Sequence, residues 1–193
     1  MRVGVLSLQG AFREHLGVLD SLGVSSSKVT RPEHLDSIDS LIVPGGESSA
    51  MVRIAAGTGL FPTLSDKIRA GLPVFGTCAG LILLADRLTD DSLDGFDRLG
   101  GLDITVARNA YGRQRESFSA PVHVSGFAED FEATFIRAPQ IMEHGDGVEV
   151  LAEHDGSPVL VRQDNIWGGS FHPELSADTR IHREFLHSLG VTV

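Results

Sequence analysis

The sequence predicts an α/β fold: a three-layer sandwich with a mainly parallel central sheet, helices on both faces, and additional antiparallel strands in the C-terminal half. Three observations predict it. Short apolar runs alternate with amphipathic segments over the first half of the chain, as in a sheet built by helical crossovers. Glycine-rich turns follow two of those runs, at Pro44-Gly45-Gly46 and Gly76-Thr77-Cys78, where an open parallel sheet carries its functional loops. After Asp90 the texture changes to short strand-like runs separated by turns.

Taken in order, Arg2 to Leu8 is mostly apolar with weak alternation, as a strand buried on both faces is. Gln9-Gly10 then opens a helical pattern through Ala11, Leu16, Leu19 and Leu22, completing one β-α unit. A short strand near Lys28-Val29-Thr30 lies within the polar stretch Ser25 to His34, and Asp39 to Val43 reads as the next buried strand. That strand ends at Pro44-Gly45-Gly46-Glu47-Ser48-Ser49. Helices are expected over Ser48 to Ala56 and Phe61 to Ala70, with Gly57-Thr58-Gly59 as the break between them. Leu72-Pro73-Val74-Phe75 is a further strand, and Leu81 to Ala85 reads as the first turns of a helix.

Beyond the acidic stretch Asp90 to Gly101, strand-like runs cover Leu102 to Val106, Phe118 to Val124, Thr134 to Arg137, Val148 to Glu153 and Val159 to Gln163. They read as antiparallel, with turns such as His154-Asp155-Gly156 between them. Asn165 to Phe171 is the last strand and delivers His172-Pro173-Glu174. A helix over about Asp178 to Leu189 closes the chain and stops at Gly190. At 193 residues, with no internal repeat or low-complexity linker, a single domain spanning 1–193 is expected.

The totals narrow the function. With 16 Lys+Arg against 26 Asp+Glu the formal net charge is -10, and no basic stripe is present to neutralise a phosphate backbone, so nucleic acid is not the expected partner. One cysteine cannot close an internal disulfide, which points to a reducing cytoplasm. The chain enters a strand pattern at once, without an apolar leader, and its longest apolar region, Leu72 to Ala85, is too short to span a bilayer. A soluble protein is expected.

Three stretches carry candidate chemistry. A lone Cys in a soluble protein usually behaves as a small buried hydrophobe, but Cys78 is framed as Gly76-Thr77-Cys78-Ala79-Gly80 between an apolar strand and a helix. That frame is the nucleophile-elbow pattern with Cys in place of Ser, and a helix N-terminus beside it favours ionised sulfur. In His172-Pro173-Glu174, residues two apart on an extended segment project to the same side, so a carboxylate can fix the imidazole tautomer. Cys78, His172 and Glu174 make a triad if the fold joins them; otherwise the pair is a surface His beside an unrelated Glu. Adjacent glycines at Gly45-Gly46 let backbone N–H groups approach a ligand, or else form an ordinary strand-to-helix turn capped by Ser48. Arg108 and Arg137, each after a strand, are placed either to clamp a carboxylate or simply to be solvated. His15, His34, His144, His154 and His187 show no metal-ligand spacing, so no metal site or cofactor is expected.

Leu6-Ser7-Leu8-Gln9-Gly10-Ala11, Pro44 to Ser49, Gly76 to Gly80, Arg108-Asn109-Ala110-Tyr111-Gly112-Arg113-Gln114, Phe135-Ile136-Arg137-Ala138-Pro139 and His172-Pro173-Glu174 together extend the match along the whole chain. In these stretches the sequence closely resembles the glutaminase subunits of two-component pyridoxal 5'-phosphate synthases, a branch of the class I (triad) glutamine amidotransferases. Ser49 departs from the Thr more usual there and leaves Gly46-Glu47-Ser48 intact. The resemblance implies a class I glutamine amidotransferase-like (flavodoxin-like) sandwich that hydrolyses L-glutamine to L-glutamate and ammonia. It implies Cys78 as nucleophile, His172 as general base and then acid, and Glu174 as the group orienting His172. It implies glutamine contacts from Gly46, Glu47, Ser48, Arg108, Ile136 and Arg137. The backbone N–H groups of Ala79 and Gly46 are the expected oxyanion donors. The resemblance further implies a (β/α)8-barrel synthase subunit of the PdxS type as partner, with Gln9 near that interface and docking completing the site. A glutaminase serving another synthase, and a non-catalytic regulatory relative, are the alternatives.

Overall fold

The computed structural model describes residues 1–108 and 117–193. Its first half runs β1 (Arg2–Leu6), α1 (Phe12–Ser21), β2 (Ser25–Val29), β3 (Ser40–Val43), α2 (Ser48–Ala55), α3 (Leu60–Arg69), β4 (Val74–Thr77) and α4 (Ala79–Leu84). The second half adds β5 (Ala85–Leu88), β6 (Leu102–Ala107), β7 (Ser117–Val122), β8 (Phe131–Ile136), β9 (Gln140–His144), β10 (Glu149–His154), β11 (Ser157–Gln163), β12 (Ile166–Gly169) and α5 (Arg180–Ser188). Short 3-10 turns cover Pro32–Ser37 and Pro173–Leu175.

The central sheet has the order β10-β11-β12-β4-β3-β1-β2. From β12 to β2 neighbouring strands are parallel, and β10 and β11 extend that sheet antiparallel. Of the parallel strands, β1, β3 and β4 are buried on both sides, which is why they read as near-continuous apolar runs, whereas the edge strand β2 is polar and only partly buried. Alternate residues feed two separate cores. Leu41, Val43 and Val74 pack with Met51, Val52, Phe61 and Leu64 of α2 and α3, while Ile42 and Phe75 pack with Leu19 of α1 and Phe185 and Leu186 of α5. Helices on both faces of a mainly parallel sheet make the expected three layers. Residue-scale burial of this kind contributes roughly 25 cal/mol per Å² of apolar surface removed from water.

The helix ends follow local chemistry. Glu47 caps α2, its carboxylate accepting the Ser49 N–H at 3.3 Å, so the N-cap is Glu47 rather than Ser48. Gly59, in the left-handed region at φ 75°, separates α2 from α3 as the Gly57-Thr58-Gly59 break requires. The predicted turn at Asp155-Gly156 is the hairpin between β10 and β11, with positive φ at both positions.

The chain after Cys78 differs from expectation. The helix there is only six residues long, and β5 follows at once, pairing parallel with β6, which pairs antiparallel with β9. β7 and β8 form a separate antiparallel ribbon. The second-half strands are therefore not uniformly antiparallel, and β5 and β9 were not expected as strands. Among the described residues no helix is long and apolar enough to cross a membrane.

Candidate active site

β4, β3, β8 and β12 converge on one cleft. Cys78 follows β4 directly and is the residue before α4, with φ 49° and ψ -102°. A non-glycine residue held there costs about 1–3 kcal/mol of backbone strain, and the surrounding contacts must impose it. Two contacts do so. The Cys78 N–H donates to Gly169 O at 2.8 Å at the end of β12, and a Cβ on Gly80 would stand 2.0 Å from Val43 O, so only glycine lets α4 seat this closely over β3.

His172 reaches the same cleft from the segment after β12, with its N–H donating to Thr134 O of β8 at 2.8 Å. Its Nδ1 lies 2.7 Å from Glu174 Oε1. The segment is not extended as expected: Pro173 starts a 3-10 turn with His172 at its N-cap, and the turn, rather than strand alternation, brings the pair together. Cys78, His172 and Glu174 are about 95% shielded from solvent (6, 6 and 5% exposed), yet Cys78 and His172 still line the cleft. Burial pulls the His172 imidazole down, but hydrogen bonds to Cys78 and Glu174, reinforced by their charge, outweigh it and push it up to about 10. The ring is therefore protonated at neutral pH, and the spatial condition on which a triad depends is met.

The cleft encloses about 180 Å³, small beside the ~300–1,000 Å³ pockets that take drug-sized ligands. Gly46, Glu47, Ser48, Arg108, Ile136 and Arg137 all line it, as does Gln9. Arg108 Nη2 lies 3.3 Å from Glu47 Oε1 and 3.1 Å from Ser49 Oγ, tying the β3–α2 turn to the end of β6. Ile136 O stands 3.9 Å from Cys78 Sγ, and Arg137 has positive φ at 42°. Gln9 Oε1 accepts the Glu47 N–H at 2.7 Å, so Gln9 braces the turn that carries Gly46. Ala79, as the first helical residue, has an N–H without an intrahelical acceptor. The Asn-Ala-Tyr-Gly-Arg-Gln stretch at 109–114 lies outside the described residues.

Sequence reasoning missed two features. Ile82, four residues beyond Cys78 on α4, lines the cleft, a position that helical spacing signals. Behind the cleft, His15 Nε2 stands 3.4 Å from Glu174 Oε2. Among the described residues no group of three or more His, Cys, Asp or Glu is arranged to hold a metal ion.

A strained cysteine elbow and a buried His-Glu pair meet on a doubly covered, mainly parallel sheet, and the chain that builds them is a glutamine amidotransferase. The chain belongs to the SNO glutamine amidotransferase family, which matches residues 5–190. It is 51% identical over 187 residues to the pyridoxal 5'-phosphate synthase subunit PdxT of Thermosipho africanus, covering 97% of this chain and 98% of that one. It is 49% identical over 189 residues to the protein of the same name from a Nocardioides species, covering 95% and 94%. A crystal structure of a glutamine amidotransferase superposes with a TM-score of 0.91 at 46% identity, covering 98% of this chain and 99% of the other.

Proposed function

We propose that this chain is the glutaminase subunit of a pyridoxal 5'-phosphate synthase, hydrolysing L-glutamine to L-glutamate and ammonia and passing the ammonia to a (β/α)8-barrel synthase subunit. The observation that carries this reading is the meeting of Cys78 and the His172–Glu174 pair at one cleft, in a chain about half identical along its length to proteins named as that subunit.

The mechanism begins from Cys78 sulfur as the nucleophile and a protonated His172. Sulfur attacks the side-chain amide carbon of glutamine, and the oxyanion that forms is held by the N–H groups of Ala79 and Gly46. His172 gives its proton to the departing nitrogen, the C–N bond breaks, and ammonia leaves a glutamyl thioester on Cys78. Neutral His172 then takes a proton from water as the oxygen attacks the thioester. The C–S bond breaks, glutamate leaves, and sulfur and imidazolium return to their starting states. Glu174 keeps Nδ1–H directed at itself and so presents Nε2 to the reaction.

Arg108 and Arg137 are the charges available for the glutamine carboxylate, and Glu47 for its ammonium. Gln9 joins the turn carrying Gly46 to the exposed rim, so a partner seated there bears directly on an oxyanion donor. We assign the cytoplasm as the compartment, in keeping with a single unpaired cysteine.

The deciding experiment is ammonia release from glutamine by the purified subunit, alone and with the barrel synthase. Weak release alone and strong release in the complex are expected. Full turnover by the lone subunit, unchanged by the synthase, contradicts the partner dependence, and no release in either case contradicts the glutaminase.

A further inference from the structure

Two fully buried histidines stand behind the triad and have no part in the reaction as written. His15 on α1 and His182 on α5 are 0% and 1% exposed. His15 Nδ1 lies 3.0 Å from His182 Nε2. On its other side, His15 Nε2 lies 3.2 Å from Thr77 Oγ1 and 3.4 Å from Glu174 Oε2. Glu174 Oε1 meets His172 at 2.7 Å. A continuous polar path thus leads from α5, through α1, to the imidazole beside Cys78.

Both rings are neutral: burial lowers His15, with repulsion from His182 and His172 adding to it, and burial alone brings His182 down to about 4. A neutral imidazole carries one N–H, which leaves two arrangements of the pair. In one, His15 donates from Nδ1 to His182. Its bare Nε2 then faces the Glu174 carboxylate, and His182 is left with a buried Nδ1–H that meets no acceptor. In the other, His182 donates from Nε2 to His15, and His15 donates Nε2–H to Thr77 Oγ1, with the same N–H dipole 3.4 Å from Glu174 Oε2. The bare Nδ1 of His182 and Glu174 Oε2 are then without a hydrogen bond, but the carboxylate oxygen faces an N–H dipole instead of a nitrogen lone pair. A buried N–H with no acceptor is the costlier orphan and a lone pair facing a carboxylate oxygen is repulsive, so the second arrangement prevails.

We propose that His15 is a positioning residue for glutamine hydrolysis, its Nε2–H dipole 3.4 Å from Glu174 Oε2 attracting that oxygen so that Oε1 stays fixed on His172, with His182 setting the tautomer of His15. The proposal rests on the glutaminase reading for its kinetic consequence, but its geometry does not. A carboxylate bonded through one oxygen can swing about its side-chain torsions; an N–H dipole from a different element facing its other oxygen opposes that swing. Around metal ligands, outer partners that orient a reacting group are worth about 10–100-fold in activity, and a loss of that order is expected here.

The test uses the full chain with its synthase partner. His15→Leu is expected to lower kcat for glutamine by about 10–100-fold with KM little changed, and His15→Gln, which restores an N–H dipole at this position, to recover most of that loss. Wild-type kcat in His15→Leu, or equal impairment of folded Leu and Gln variants, overturns the proposal. Imidazole nitrogen NMR of the wild-type chain provides a second arm: His15 protonated on Nε2 supports the proposal, and protonation on Nδ1 overturns it even if the variants fail to fold. If the wild-type complex releases no ammonia at all, the glutaminase reading fails by itself. The alkylation rate of Cys78 by iodoacetamide at pH 7 then decides for His15, expected slower in His15→Leu and restored in His15→Gln; no difference between the three proteins overturns the proposal.

Discussion

A Cβ placed on Gly45 would fall 2.3 Å from Cε1 of His172 and 2.8 Å from its Nδ1. The turn after β3 is therefore shaped around the imidazole as much as around any ligand. The ring cannot yield easily, since Glu174 grips its Nδ1 at 2.7 Å. Gly45→Ala is accordingly expected to displace His172 and lower kcat by about 100-fold, because misplacement of about 1 Å suffices for that. Steady-state glutamine hydrolysis alongside a melting curve checks it, and a well-folded variant of normal kcat would show that the ring has room to spare.

Cys78→Ala should abolish ammonia release, by more than ~10³-fold, since among the described residues lining the cleft no other thiol is present. It should also change the titration of His172. That ring is pushed up to about 10 chiefly by its hydrogen bond to Cys78, against burial, with Glu174 contributing next. Removing the sulfur leaves burial less opposed, so the NMR-monitored titration midpoint of His172 should fall well below that of the parent protein. An unchanged midpoint would separate the two side chains electrically.

The stability of the fold should depend on pH in two windows of opposite sense. His172 is raised in the folded protein, so its contribution is complete below the unfolded value near 6.5 and is lost as pH rises through about 10. His15 and His182 are lowered by burial, so the unfolded chain binds more protons than the folded one below about 6.5, and stability falls as pH drops from there toward about 4. Urea midpoints at pH 7 and pH 5 should differ less in His182→Leu than in the parent. An equal acid dependence in both would remove His182 from that limb.

Arg108 bridges Glu47 and Ser49 at the rim of the cleft and is mostly shielded from solvent. If it also receives the glutamine carboxylate, Arg108→Ala should raise KM by about 10–100-fold, the worth of a charged hydrogen bond, with a smaller effect on kcat. A fall in kcat at constant KM would instead mark it as a brace for the Glu47 turn.

Much of this was legible in the chain because the relevant signals are local. β1, β3 and β4 announce themselves as apolar runs ended by glycine, and the elbow at Cys78 needs only its flanking small residues to be seen. β5 was not legible: Ala85-Asp86-Arg87-Leu88 has no strong alternation and directly continues an apolar run that suits a helix or a buried strand equally. The His172–Glu174 contact was anticipated for the wrong local reason, since the segment is a 3-10 turn begun by Pro173 and not the extended run in which residues two apart share a side. His15 and His182 escaped notice because their partners are 167 residues apart, although each shares a buried stripe with Leu19 or Phe185 that a lone polar residue should not enter without one.

The position of β12 has a consequence for how the protein comes into being. The strand beside β4 is supplied by residues 166–169, and the Cys78 amide is pinned by the carbonyl of Gly169. A nascent polypeptide on the ribosome therefore holds its sulfur without its imidazole, and without the strand that pins the elbow, until residues 166–172 have also been translated. A product released by a stop codon before His172 thus has the sulfur but neither the imidazole nor the carboxylate that would make it an amidase.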